Sequence, residues 1–506
     1  MKQTWTWFLI GLALTAAALF FCAGILFATV LWLFSPTTAP AAIPPATTTV
    51  WEAEATATSA WPTDIAPTPG PTTPVPTTVT PKSSAGPPQE ATPTATIPPE
   101  ILQLLHRLEQ ETQELRELRA KHPVSYEFVS REEMKARMWE DFEEEYSEED
   151  MAKDAVEFWV LGLMPRDTNL RELFASMYGE AVAGYYDDET KHMVIVSEAT
   201  LPPHARQTYV HEFVHALQDQ YWDLSTFLSD ELCEQDTEAC AARQALVEGD
   251  AQTVDTLWYY LKATPQERAA IQEHYRTLDM PAWDAAPDFL KEDILFPYIQ
   301  GATFVQYFLA QGGWPRVNQL FDEPPVSTEQ ILHPERYPTD KPLDVPLPDL
   351  PSLLGEGWEA AVESNALGEW SLYLTLAFGM KPGRIPEDEA ERAAEGWGGD
   401  RYAVYYRPDD PDAVVFYQDL RWDTRQDGVE FRMAFLHYAE NRFGPAEHPE
   451  KGLWVWPSTR WGTVYFRAVD DQRYLWIIAP DAALAEQLMQ AGLALGEAAT
   501  SPDLAP

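Results

Sequence analysis

Through most of the chain the apolar positions recur at helical spacing. Ile101, Leu104, Leu105, Leu108, Leu115 and Leu118 do so over residues 100–121, with Glu and Arg between them. The run holds too few heptads for a coiled coil, so it predicts a helix packed on a domain. Similar patterns predict helices over 131–146, 148–163 and 169–182. Residues 185–196 read instead as a hairpin, with an aromatic strand, an acidic turn and a β-branched strand. Helical spacing returns after Pro202-Pro203, over 209–220, 241–257 and 296–308, and residues 353–380 follow the same pattern. Beyond Gly396-Trp-Gly-Gly-Asp400 the period drops to two. Strands are predicted at 402–406, 414–422, 453–456, 463–469 and 474–478, with helices at 428–443 and 481–495. This is an α+β unit with an antiparallel sheet. Its tryptophans, among them Trp454, Trp456 and Trp461, are expected in its core rather than on a ligand platform.

The N-terminal pattern is different. Phe8 to Phe34 is a run of 27 uncharged, almost wholly apolar residues, longer than the roughly 20 needed to cross a bilayer as a helix. It is also too long for an ordinary cleaved signal, whose apolar region spans about 7–15 residues. Lys2 precedes it and no Lys or Arg follows until Lys82, which predicts a cytoplasmic N-terminus and an extracytoplasmic remainder. Residues 36–98 are rich in Pro, Thr and Ala and poor in bulky side chains. Such a segment cannot bury enough apolar surface to order itself and should form a disordered, semi-extended linker. The expected organisation is therefore a cytoplasmic tip and transmembrane helix (1–35), a stalk (36–98), a mainly helical domain (99–345), a helical connection (346–395) and the α+β unit (396–506).

The stretch with the clearest chemistry is His211-Glu212-Phe213-Val214-His215, inside the predicted helix over 209–220. Residues i and i+4 of a helix share a face, so the two imidazoles can meet at one divalent ion. Glu212 can then take a proton from a water that the ion acidifies. With 10 His in the chain, chance produces only about 0.02 such matches. A hydrolytic zinc site needs a third protein ligand and one open position. Glu248 is the candidate: it lies between Leu246-Val247 and Gly249 on the next helical pattern, where an unpaired charge would be costly. The alternative is a surface carboxylate. Asp250 and Asp255 are candidates to orient a ligand imidazole through its other nitrogen. The residues at the positions where a metzincin carries its glycine and third histidine are Gln218 and Tyr221, which excludes that subclass.

The set His211-Glu-Phe-Val-His215 with a later Glu248 resembles the gluzincin, thermolysin-like branch of zincin metallopeptidases. Together with Ala183-Gly-Tyr-Tyr-Asp187 and Val247-Glu-Gly-Asp-Ala251, it is similar to membrane-tethered prokaryotic proteins of that kind, over about residues 180–340. The resemblance implies a zincin-like catalytic domain, one Zn2+ per chain on His211, His215 and Glu248, and Glu212 as general base. The separation of His215 from Glu248, 33 positions, is longer than in familiar members. The insert holds Cys233 and Cys240, which outside the membrane are expected to form a disulfide between the two ligand helices, with two thiols as the alternative. Gluzincins also use a His or Tyr to stabilise the oxyanion. His333, before Pro334, is the first candidate and Tyr298 the second; a capping or core histidine is the plain alternative for His333.

Charge narrows the partners. With 35 Lys+Arg against 80 Asp+Glu, the net charge is -45, which repels nucleic acid. The expectation is a single-pass cell-membrane zinc peptidase whose extracytoplasmic domain hydrolyses protein or peptide substrates through a zinc-activated water. A surface-tethered binding protein with a structural or inactive zinc site is the alternative from another class, and a zinc hydrolase acting on non-peptide bonds is a third.

Overall fold

The computed structural model describes residues 98–178, 184–196 and 200–499. The expected membrane span and the Pro/Thr-rich linker up to residue 97 lie outside these residues. No helix among the described residues is long and apolar enough to cross a membrane.

The described chain opens with α1 (Pro99–Arg116), β1 (Ser125–Val129), α2 (Arg131–Glu145), α3 (Glu148–Leu161) and α4 (Leu170–Tyr178). Ser130 with Glu133, and Ser147 with Asp150, form reciprocal capping boxes that start α2 and α3. Gly162, at φ 84°, ends α3. The predicted hairpin follows as β2 (Gly184–Asp187) and β3 (His192–Val196), with Tyr186 opposite Met193. Its turn is held by Asp187, whose carboxylate accepts from the backbone of Glu189 and Thr190. β1 pairs with β3 in parallel, giving a three-stranded sheet of order β1-β3-β2. The alternation in Ser125-Tyr-Glu-Phe-Val129 is short and mostly solvent-facing, so core periodicity does not reveal β1 in the sequence.

Next come α5 (Pro203–Trp222), α6 (Leu224–Phe227), α7 (Asp230–Gln235), α8 (Thr237–Leu261), α9 (Pro265–Thr277), α10 (Pro281–Ala285), α11 (Asp288–Asp322), α12 (Thr328–Leu332) and α13 (Leu350–Leu354). α8 packs against both α5 and α11. The remainder is β4 (Glu359–Asn365), α14 (Gly368–Ala377), α15 (Glu387–Ala394), β5 (Trp397–Arg407), β6 (Asp410–Trp422), α16 (Arg425–Phe443), β7 (Leu453–Thr459), β8 (Gly462–Ala468), β9 (Arg473–Ala479) and α17 (Ala482–Ala499). The strands form a six-stranded antiparallel sheet of order β4-β5-β6-β9-β8-β7. The fold is mixed α+β, as the two periodicities predict.

The expected helical connection over 346–395 is corrected by β4. Gly355 and Gly357, at φ 77° and 87°, break the helical run. The stretch from Glu359 then pairs with β5 as an edge strand, so the sheet begins well before residue 396. The sheet is buried on both faces. On β6, Val414, Phe416 and Leu420 join an apolar core continuous with α1, α5, α8 and α11, while Val415 and Tyr417 join a second core beneath α17. Trp456 and Trp461 are buried and Trp454 packs against the same core, as the sequence predicts for these aromatics.

Candidate metal centre

α5 is buried through most of its length, from Ala205 to Asp219. It therefore presents side chains on every face. His211 and His215 face α8, while Glu212 and Asp219, two helical turns apart, face β2. Tyr186 of β2 bonds to both: its backbone N–H donates to Glu212 Oε2 at 3.0 Å and its hydroxyl to Asp219 Oδ2 at 2.8 Å.

On α8, Glu248 is buried and points at the two imidazoles. His211 Nε2 lies 3.1 Å and His215 Nε2 3.5 Å from Glu248 Oε2. The donor atoms of His211, His215 and Glu248 all lie within 4.8 Å of one another. Tetrahedral donors held about 2.0–2.1 Å from a zinc ion stand about 3.3 Å apart. Two nitrogens and a carboxylate at these separations fit such an ion.

The outer nitrogens settle which ring atoms face inward. Gln218 Nε2 donates to Val247 O and to Asp250 Oδ2, each at 2.9 Å. Both partners are acceptors, so Gln218 Oε1 must face His215 Nδ1, 2.8 Å away, and accept its proton. His211 Nδ1 likewise faces Asp255 Oδ2 at 3.3 Å. Each imidazole thus directs its Nδ1–H outward and turns Nε2 toward Glu248. Asp255 itself is held by Gln252 at 2.9 Å.

Asp250 acts differently from the expectation. It touches no imidazole; it reaches His215 through Gln218. Its charge is met by Arg116, whose Nε lies 2.7 Å from Oδ1, and both side chains are fully buried. The Arg116 guanidinium also sits over Trp314, 4.4 Å from the ring centre. Gln218 and Arg116 carry no motif signal, and their roles emerge only when α1, α5 and α8 come together.

His333 is not at the cluster. It caps the end of α12 and its Nε2 pairs with Glu369 at 2.9 Å. The plain alternative, a capping histidine, describes it. Tyr298 of α11, the second candidate, is the residue that reaches the cluster: it is fully buried and its ring lies 6.1 Å from that of His211. Cys233 and Cys240 form a disulfide across the α7–α8 junction.

Four buried polar atoms gathered here have no hydrogen-bond partner among the described residues: Glu212 Oε1, His215 Nε2, Glu248 Oε1 and Tyr298 Oη. Such orphans are rare and call for an explanation; a cation bound here with its water would answer that need. Burial would lower the His211 pKa, but the Asp255 and Glu248 carboxylates reverse this and hold it above the ordinary histidine range. Burial pushes Glu212 up, against the opposing pull of His215 and His211. Burial, then the negative charges of Glu248 and Glu212, keep the Tyr298 hydroxyl protonated.

A second acidic group, Glu329, Asp340 and Asp423, also converges. Arg336 reaches all three, so a guanidinium already meets their charge. The cavity of about 730 Å³ beside the helical core is not lined by His211, His215 or Glu248. It begins one turn earlier on α8, at Gln244.

Residues 356–489 match the family described as "Domain of unknown function (DUF8575)". The matched span runs from just before β4 into α17 and so coincides with the six-stranded sheet and its helices. No curated protein and no solved structure matches the chain.

Proposed function

We propose that the chain is a zinc-dependent peptidase of the gluzincin kind, with His211, His215 and Glu248 holding the ion and Glu212 as general base. One observation carries the reading. Both Nε2 atoms and a Glu248 oxygen converge at ligand spacing while each Nδ1 proton is already placed on an acceptor. When bound, the ion supplies Lewis acidity, polarising a carbonyl oxygen and acidifying a water.

The residues divide the remaining work. Tyr186 N–H occupies Glu212 Oε2, leaving Oε1 as the basic atom. That oxygen takes the proton of the attacking water and returns it to the leaving amine, and its raised pKa suits both steps. Tyr298 Oη, kept protonated, donates to the oxyanion that develops on the carbonyl. The peptide chain is proposed to lie along β2, the terminal strand of its sheet. The expected membrane tether would set this domain outside the cell.

The burial of the whole cluster supports a second reading, a structural zinc site in a binding protein. The test is zinc-loaded full-length chain against Glu212→Gln, assayed on denatured casein with zinc content measured in both. Cleavage by the parent and a loss of about 10²–10⁴ in the variant at equal zinc content supports the peptidase. Equal zinc with no cleavage by either supports the structural site. Loss of zinc binding on replacing Glu248 with Gln is expected in both readings, and its absence would remove Glu248 from the ligand set.

A further inference from the structure

The cavity beside the helical core has an acidic lining. Seven carboxylates line it, those of Asp150, Asp154, Glu157, Glu234, Glu238, Asp293 and Glu363, against the two cations of Lys153 and Arg401. Lys153 is already paired with Glu149 at 2.7 Å. Glu157 and Asp293 have no ion-pair partner among the described residues. Each spends one oxygen on a neutral donor of the wall: Tyr402 OH bonds to Glu157 Oε1 at 2.6 Å, and Trp370 Nε1 to Asp293 Oδ1 at 2.9 Å. Burial pushes their pKa values up to about 7 and about 6, as expected of carboxylates that lack a counter-charge. Pro297 adds to the oxygen-rich wall, because it has no N–H to give the Asp293 carbonyl one turn back on α11.

Aromatic rings stand in the same wall. Phe158 and Phe289 pair at 5.3 Å between ring centres, and Phe296 and Trp370 at 4.6 Å. Carboxylates set among ring faces select an organic cation over a small hydrated ion. The volume, about 730 Å³, suits a long side chain.

The cavity and the cluster share two helices. Thr237, Cys240, Ala241 and Gln244 line it from one stripe of α8, and Glu248 is the next residue of that stripe, about 6 Å of helical rise beyond Gln244. On α11, Ile294 lines the cavity and Tyr298 follows one turn later. We infer that the cavity is a specificity subsite for a lysine or arginine side chain of the peptide, held by Glu157 and Asp293. The assignment to a peptide side chain rests on the peptidase reading; the affinity for an organic cation does not.

The test separates the two. Zinc-loaded full-length chain carrying Glu212→Gln is titrated calorimetrically with N-acetyl-arginine amide, and with N-acetyl-citrulline amide as the uncharged control. Binding of the arginine compound should be at least about tenfold tighter, and Glu157→Gln with Asp293→Asn should bring the two ligands level. Both replacements keep an acceptor for Tyr402 and Trp370, and each single variant, checked by thermal melting, serves if the pair does not fold. Equal binding of both ligands to the parent, or a preference that survives the substitutions, overturns the inference. A second arm compares cleavage of arginine- and citrulline-containing peptides by chain with Glu212 intact. Arginine binding without any cleavage sinks the peptidase and leaves a cation site; cleavage without arginine preference sinks the subsite alone.

Discussion

The crossing of α8 and α11 fixes where Glu248 stands, and Gly249 tests it. A Cβ at residue 249 would lie 2.1 Å from Gly301 C, 2.2 Å from Gly301 O and 2.6 Å from Ala302 N. All three are backbone atoms that cannot rotate aside. Ordinary contact requires about 3.5 Å, so the helices must part by roughly 1.4 Å. Overpacking of this kind costs about 1–3 kcal/mol, and a rigid backbone neighbour puts it at or above the upper end. Replacing a helical glycine by alanine returns up to about 1 kcal/mol of propensity. Gly249→Ala should therefore lose about 2 kcal/mol net. It should also weaken zinc binding by about 10–100-fold, because Glu248 shifts away from two histidines that stay on α5. Thermal melting and competition with a chromophoric chelator measure the two effects. Gly301→Ala should behave the same way, since its Cβ would lie 2.0 Å from Ala245 O. A Gly249→Ala protein that melts higher and holds zinc as before would refute the close crossing.

Three further outcomes follow from the same geometry. Gln218→Leu removes the acceptor of His215 Nδ1–H and should weaken zinc binding by about 10–100-fold in the same competition assay. Arg116→Met leaves the Asp250 carboxylate buried without its counter-charge and should cost about 3–5 kcal/mol in urea unfolding. Glu157 carries a pKa raised from 4.5 to about 7, so the folded state binds the extra proton between these values and its stability falls as pH rises through that window. Melting temperatures of parent and Glu157→Gln should converge near pH 4.5 and separate by pH 7, with the variant the more stable; parallel curves would contradict this.

The sequence was legible where one local rule decides the outcome. His211 and His215 sit four apart on an uninterrupted helix, with Glu212 next to the first, and the meeting of the two imidazoles follows from helix geometry alone. Glu248 was found because a carboxylate between Leu246-Val247 and Gly249 needs a partner. Asp255 followed as its neighbour two turns along α8. What was not legible required three-dimensional neighbours. Gln218 is an ordinary helical glutamine until Asp250 and Val247 of α8 fix its amide. His333 reads as an oxyanion donor because the gluzincin resemblance asks for a His or Tyr in that role, and only Glu369, 36 residues away, gives it another task. β4 read as helix because its alternation covers few residues and its pairing with β5 comes from outside the segment. The C-terminal strands were clear because β5, β6 and β9 alternate under two separate cores.

The matched C-terminal region and the helical region behave as one folded body, and Arg442 shows why. The last carbonyls of α3 are met by donors from beyond residue 379. Trp159 O accepts from Trp461 Nε1 at 2.9 Å, Val160 O from Arg442 Nη2 at 2.7 Å, Leu161 O from Arg442 Nη1 at 2.9 Å and Gly162 O from Met380 N at 2.7 Å. Arg442 has no carboxylate partner among the described residues; its charge is held by the negative end of α3 and by the face of Trp461, 4.1 Å away. Arg442→Met would leave the Val160 carbonyl short of a partner and reduce Leu161 O and the Tyr438 hydroxyl to the bond they make with each other, offset by relief of a buried charge. Each charge-assisted bond contributes about 1.5–3 kcal/mol, so the net loss should be about 2–4 kcal/mol in urea unfolding. Arg442→Lys should recover only part, since one ammonium does not span two carbonyls. None of these contacts reaches His211, His215 or Glu248, so zinc affinity should be unchanged, in contrast to Gly249→Ala. A stability loss below about 0.5 kcal/mol would show that the α3 terminus is satisfied without Arg442. A fall in zinc affinity would show that docking of the sheet sets the ligand geometry.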